Sequence, residues 1–262
     1  MESGPGHELE LHQAAELLGV HYQTAYRWVR NGRLPARTVD RQYVVLRSDV
    51  EQLQTSRAEP KSPVAPSRGR IDRQAERMHQ ALLDGDEPAA RKIARRLVDD
   101  GTGLVELIQF VFAPPLRRIG QAWHDGDLTI WVEHRASAIV ERTLGELAPN
   151  PRGRRRGTAM VAAVAGDQHS LPTTMATVAL REAHWHVHHL GANMPGEELV
   201  RFCDEFDVDV AVISLTNPDV ADLANDTAEQ IRSNGRAAIV GGAGRSLEQL
   251  LGDAQAATDS AA

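Results

Sequence analysis

The stretch that most constrains this chain is residues 159–165, Ala-Met-Val-Ala-Ala-Val-Ala, together with the Gly166-Asp167-Gln168-His169 that follows. The run is uncharged and built of small and branched apolar side chains, the pattern of a strand buried on both faces of a parallel sheet. Open α/β sheets bind ligands just beyond the carboxyl ends of their strands. An imidazole placed there ligates a metal through one ring nitrogen while a carboxylate holds the other and fixes the tautomer. Asp167 and His169 stand in that relation. A plain surface-loop histidine is the alternative, and the rest of the chain decides between them.

From residue 159 the pattern alternates between strand and helix. Strands fit residues 159–165, 185–190, 208–214 and 237–240, and helices fit about 173–183, 196–206 and 219–233, with Asn217-Pro218 opening the third. This is a doubly wound, flavodoxin-like parallel sheet, expected over residues 158–252. Ser214-Leu215-Thr216 follows the third strand and Gly241-Gly242-Ala243-Gly244 the fourth, both on the edge that carries His169. Glycines there admit a bulky ligand to the backbone, and hydroxyls supply polar contacts. After Gly252 the pattern fades, so residues 253–262 are expected to be a disordered tail and a fifth strand is not expected. His184, His186, His188 and His189 crowd the second strand. Alternation puts the first three on one face, as in a metal site, although such strands are more often structural.

Residues 71–148 carry helical periodicity throughout and read as a four-helix bundle, with helices near 72–84, 86–100, 102–122 and 127–148. Asp86 and Thr102 are expected N-caps, and Pro114-Pro115 should kink or restart the third helix. Between the last two helices, Trp123-His124 and Glu133-His134 flank the Asp125-Gly126-Asp127 turn. Each is ordinary alone, the Trp as core and Glu-His as a solvated pair. Together at one end of a bundle they supply an indole wall, a carboxylate and two imidazoles.

At the other end of the chain, residues 1–54 read as a winged helix-turn-helix. Two short helices, residues 11–18 and 21–30, are joined by a glycine-containing turn, and a small hairpin over 38–46 follows. The second helix is the expected reader of the major groove, with Tyr22, Gln23 and Thr24 in its first turn. Residues 21–47 hold six arginines, Arg27, Arg30 and Arg41 among them, against the single acid Asp40. That local excess neutralises phosphates although the whole chain is formally −7. A helical hairpin for protein contact is the alternative. Residues 55–70 and the arginine-rich 149–157 read as linkers. A lone cysteine, Cys203, excludes a disulfide framework and a thiolate metal site. With neither a membrane-length apolar run nor a signal peptide, a cytoplasmic location and no membrane partner are expected.

The head resembles the winged-helix module of excisionases and of the MerR superfamily, without the longer wing. Residues 158–252 resemble a cobalamin-binding module, which carries Asp-x-His-x-x-Gly after its first strand, Ser-x-Thr/Leu after its third and Gly-Gly after its fourth. Here these are Asp167-x-His169-x-x-Pro172, Ser214-Leu-Thr216 and Gly241-Gly242, with proline in place of the first glycine. The order of parts, and Trp123 at the Trp-x₉-Glu-His spacing from Glu133-His134, is similar to the CarH-type photoreceptor repressors. That resemblance implies adenosylcobalamin as chromophore, His169 as lower cobalt ligand, and Trp123, Glu133 and His134 packing on the adenosyl group. It implies His124 as upper cobalt ligand after light, and a homo-oligomer, dimer or tetramer by state, that binds DNA and is not an enzyme. Two other readings stay open: a regulator sensing cobalamin level, oxygen or haem without light, and a corrinoid-carrier subunit of a methyltransferase or mutase.

Overall fold

The computed structural model describes residues 8–18, 22–30, 34–39, 42–58, 68–148, 153–242 and 244–259. The chain divides into two compact units, residues 1–64 and 65–262.

The first unit runs β1 (Glu8–Glu10), α1 (Leu11–Leu17), α2 (Tyr22–Arg30), β2 (Arg37–Val39), β3 (Gln42–Leu46) and α3 (Arg47–Ala58). Its antiparallel sheet has the order β1-β3-β2. The sequence pattern shows only the hairpin; β1 is too short to show a period of its own, and it forms because Leu9 enters the core opposite Val45. That core gathers Leu11, Ala14, Ala15, Leu18, Ala25, Leu34 and Val50. α3 runs to Ala58, so the expected linker is shorter than residues 55–70.

The second unit begins with a bundle: α4 (Arg68–Asp84), α5 (Glu87–Asp99), α6 (Leu104–Leu107), a π-helical turn (Ile108–Phe112), α7 (Ala113–His124) and α8 (Ile130–Leu147). Asp86 caps α5, its carboxylate accepting Ala89 N–H at 3.0 Å. Thr102 is not a cap: it is buried, and the N-cap of α6 is Gly103. The missing side-chain acceptor comes from Glu182, whose two oxygens accept Leu104 N–H at 2.6 Å and Val105 N–H at 3.0 Å. Pro114 and Pro115 lie in the first turn of α7, where a missing N–H costs no helix bond. The expected restart is found there: α7 begins at Ala113, directly after a wide π turn whose Ile108, Val111 and Phe112 are buried.

The sheet half runs β4 (Thr158–Val164), α9 (Ser170–Glu182), β5 (His186–Met194), α10 (Gly196–Glu205), β6 (Val210–Leu215), a 3₁₀ turn (Pro218–Val220), α11 (Ala221–Ser233), β7 (Ala237–Gly242) and α12 (Leu247–Asp259). All pairings are parallel, in the order β5-β4-β6-β7. The expected disordered tail is corrected here, since residues 253–259 continue α12. Leu250 and Ala254 of that helix are buried against Ala176 and Leu180 of α9. α9 serves both cores: its Val178 is buried in the bundle cluster, while Ala176 and Leu180 face the sheet cluster.

His79 of α4 is a buried histidine of the bundle, 9% exposed, with Nδ1 lacking a hydrogen-bond partner among the described residues. Desolvation by burial, then the Arg118 guanidinium, push its pKa below the ordinary value, against Glu76 and a hydrogen bond to the Pro115 carbonyl. A folded pKa below the unfolded one means the native state binds fewer protons, so its contribution is complete above about pH 6.5 and lost as pH falls below it. Thermal unfolding of wild type and His79→Leu across that range should show a smaller acid loss in the variant. An equal loss would assign the effect to other groups, such as His186 and His189, whose pKa values are also lowered.

Candidate functional site

The site is built on the carboxyl edge of the sheet. β4 ends at Val164, and Gly166 turns the chain with φ +89°, a left-handed conformation in which a Cβ would also crowd Val220. The turn puts Asp167 inside: its exposure is 0%. One oxygen accepts Thr216 N–H at 2.6 Å and Asn217 N–H at 3.1 Å. The other lies 2.7 Å from His169 Nδ1 and accepts His169 N–H at 3.2 Å. Burial pushes this carboxyl up. The bonds from Thr216, the His169 ring, Asn217 and the His169 backbone together outweigh it and hold the pKa below the ordinary value.

His169 is thereby oriented. Its Nδ1 faces a buried carboxylate, so that nitrogen carries the proton and Nε2 presents a lone pair. The side chain keeps 57% exposure, which leaves Nε2 accessible. This is the arrangement a metal-ligating imidazole needs. His169 is also the N-cap of α9, and Pro172 sits in the first turn of that helix, where it fixes the backbone without removing a helix bond.

The other sheet-edge residues lie where the sequence places them. Ser214 is buried and pairs with Gly241 across β6 and β7, and Leu215 pairs with Gly242. Thr216 joins the site through its backbone N–H, which binds Asp167. A methyl group on Gly242 would run into the carbonyl oxygen of Leu215, whereas Gly241 faces open space. Thr177, one turn beyond Thr173 on α9, has a buried hydroxyl without a partner among the described residues. Such a group fits a polar ligand beside α9.

Two contributors lie outside the sequence motifs. Asn193, at the end of β5 with φ +58°, accepts Gly166 N–H on its side chain at 2.8 Å, and its own N–H binds the Asp167 carbonyl at 2.9 Å. Asn217 binds Asp167 through its backbone and donates from Nδ2 to the Gly166 carbonyl at 3.1 Å. The one signal for Asn193 is its residue type, since asparagine tolerates the left-handed region.

In the bundle, Trp123 and His124 end α7, while Glu133 and His134 occupy the start of α8. His134 Nδ1 lies 2.8 Å from Glu133 Oε2, and Ser137 Oγ donates to Glu133 Oε1 at 2.8 Å. Trp123 is 43% exposed, and Ile130 and Trp131 are exposed nearby in sequence. Among the described residues no hydrogen bond or ring contact joins Trp123 or His124 to Glu133 or His134. The structure thus brings together Asp167, His169 and Thr216, and leaves Trp123 and His124 apart from the pair formed by half-buried Glu133 and exposed His134.

The histidines of β5 do not form a metal site. His184 lies before the strand with φ +67°, so alternation does not extend to it. His186 and His188 stack edge to face at 4.7 Å, with Phe202 and Phe206 against His188. His189 Nε2 meets Thr173 Oγ1 at 2.8 Å. Among the described residues no group of three or more histidine, cysteine and acidic side chains is placed to hold a metal ion.

In the head, Tyr22 is 39% exposed at the start of α2 and stacks on Tyr26 at 6.4 Å. Gln23, Thr24, Arg27 and Arg30 lie on α2. Arg41 lies outside the described residues. Arg37 pairs with Glu8 across the sheet, and Arg47 with Glu51 at 2.8 Å.

A helix-turn-helix domain model matches residues 9–58, and two B12 binding domain models match residues 74–148 and 157–259. A corrinoid protein of Desulfitobacterium hafniense is 23% identical over 139 residues, covering 51% of this chain and 64% of that protein. The HTH-type transcriptional repressor CarA of Myxococcus xanthus is 26% identical over 233 residues, 79% of this chain and 76% of its own length. CarH of the same organism is 30% identical over 145 residues, 54% of this chain and 48% of the relative. The chain thus spans less than two thirds of the first of these relatives and about half of the last. The monomethylamine corrinoid protein of Methanosarcina barkeri shares the fold, with a TM-score of 0.55 at 14% identity over 70% of this chain and 94% of that one.

Asp167→Asn tests the centre of the site. It keeps the shape but turns an amide N–H₂ toward N–H donors, leaving buried donors unpaired at a cost of about 1–3 kcal/mol. Urea unfolding at neutral pH should show that loss. Because the Asp167 pKa is depressed, the wild-type advantage should be complete above the ordinary carboxylate range and be lost as pH falls from that range through the lower folded value.

Proposed function

We propose that this chain, by its helix-turn-helix head and paired B12 binding domains a member of the CarH-type family, is a light-responsive transcriptional regulator, acting as a repressor. Its chromophore on this reading is adenosylcobalamin, held between the carboxyl edge of the sheet and the bundle. The observation that carries the reading is the Asp167–His169 pair, an imidazole oriented by a buried carboxylate with its second nitrogen accessible. Exposed Thr216 and the glycines at the end of β7 beside it, and the Thr177 hydroxyl that lacks a partner among the described residues, fit the same ligand.

His169 would hold the cobalt through its accessible ring nitrogen, with Asp167 keeping the ring in register. Ser214, Thr216, Gly241 and Gly242 would line the sheet edge around the group. Trp123, Glu133 and His134 would pack on its adenosyl part and exclude water from it. When bound, the cofactor supplies a cobalt–carbon bond that light cleaves. The His124 side chain, which has no hydrogen bond or ion pair among the described residues, would be the group available to hold the cobalt once the adenosyl part is lost. A shift of α7 and α8 would then alter the assembly of homo-oligomers, dimer or tetramer, that present several heads to DNA. Tyr22, Gln23 and Thr24 read base edges, while Arg27, Arg30 and Arg41 hold phosphates. The setting is cytoplasmic on this reading, and among the described residues no helix is long and apolar enough to cross a membrane.

The corrinoid relatives support a second reading, a carrier subunit for methyl transfer. A sequence-specific DNA footprint would decide for the regulator, and none on any cofactor form would decide for the carrier. Haem in place of corrin is the third case, separated by its spectrum.

The primary test is an absorbance spectrum and size-exclusion profile with adenosylcobalamin in darkness and after green light. A spectral change accompanied by a change in oligomer size is expected. Binding without a light-dependent size change would replace light with another signal. His169→Ala should weaken binding by about tenfold or more, as losing a metal-site group does. His124→Ala should bind like wild type in the dark and differ only in the spectrum and cofactor retention of the illuminated product.

A further inference from the structure

The geometry points to Glu141 as a positioning residue that couples the cap to the His169 loop; the inference rests on the cofactor reading above. α8 is one unbroken helix from Ile130 to Leu147. Glu133, Ser137 and Glu141 follow one another at four-residue spacing along it, so they share a face. Glu133 belongs to the cap at one end of that face. Glu141, about 12 Å further along the helix axis, accepts Thr174 Oγ–H at 3.0 Å and Ser170 Oγ–H at 3.4 Å. Ser170 is the first residue of α9 and is bonded covalently to His169.

The apolar contacts at this junction are Leu171, Met175 and Val178 of α9 against the bundle core. Such contacts are non-directional and tolerate sliding. The two hydroxyl bonds are directional, and the carboxylate lies beside the positive end of α9. They therefore fix how α9 is set against α8. A displacement of the cap end of α8 is passed by the rigid helix to Glu141, and from there to the first turn that carries His169. Through this residue, engagement of the upper group strengthens the seating of the lower ligand, and release of the upper group loosens it.

Two measurements on the full chain test this. In the protein without cofactor, hydrogen exchange over residues 173–178 should rise about tenfold in Glu141→Ala, the effect of losing about one hydrogen bond's net stabilisation or slightly more. Glu141→Gln should fall between, Thr174→Val should reproduce part of the rise, and β6 should be unchanged. Titrations with adenosylcobalamin and methylcobalamin then separate coupling from plain structure. Glu141→Ala should lower the ratio of adenosyl to methyl affinity by about tenfold, whereas a structural defect alone lowers both equally. Unchanged exchange, or an unchanged ratio while wild type binds both, overturns the role of Glu141 alone. Failure of wild type to bind either cobalamin overturns the reading on which the role rests.

Discussion

The carboxyl edge of the sheet depends on one buried charge. Asp167 has no exposed surface, and stripping an ion of water costs several kcal/mol unless hydrogen bonds replace it. Here they come from both oxygens: two backbone N–H groups from the loop after β6, and the ring and backbone of His169. Hydrogen bonds to a charged group are worth about 1.5–3 kcal/mol each, enough to reverse the penalty. The depressed pKa of the carboxyl is the sign that they do. The loops after β4 and β6 thus converge on one side chain, and Asn193 near the end of β5 holds the same turn through the Gly166 N–H and the Asp167 backbone carbonyl.

This gives the two halves of the site different mechanical characters. His169 is half in solvent yet fixed, since its orientation is set by a group that cannot move without unpairing several buried donors. The cap residues are held weakly. Trp123 lies at a helix end, His124 is unbonded among the described residues, and Glu133 is bonded only to its neighbours His134 and Ser137. A fixed His169 and loosely tied Trp123, His124 and His134 side chains support the proposed reading of a switch whose moving part is the bundle end. Rearranging exposed side chains costs little compared with unmaking the Asp167 network.

The parts of this structure legible in the sequence are those governed by local period. The uncharged run before Gly166, the βα alternation and the bundle periodicity each report burial within a single element, and the sheet edge with Asp167, His169, Ser214 and Gly242 follows from them. Chemistry supplied from afar was not legible. Thr102 looks like a cap because serine and threonine favour that position, yet the acceptor for α6 is Glu182, on α9. Arg37 counts as free cation in its own stretch, yet Glu8 neutralises it across a strand whose three residues carry no pattern. The end of the chain misleads for a related reason. Its alanines and polar residues look featureless, but Leu247, Leu250, Leu251, Ala254 and Ala257 follow a helical stripe that acquires meaning only against the sheet and α9.

α9 is where these long-range ties meet. One face contributes Val178 to the bundle core and another contributes Ala176 and Leu180 to the sheet core. Its first turn is bonded to Glu141 of α8, and its last turn provides Glu182 to the start of α6. A helix packed on two sides and anchored at both ends cannot follow the bundle without disturbing the sheet, nor the sheet without the bundle. Movement between the halves is therefore felt at α9, whose N-terminal residue is covalently joined to His169. On the proposed reading, the fold thus links the helix that carries Glu133 and His134 to the loop that carries His169 through directional contacts.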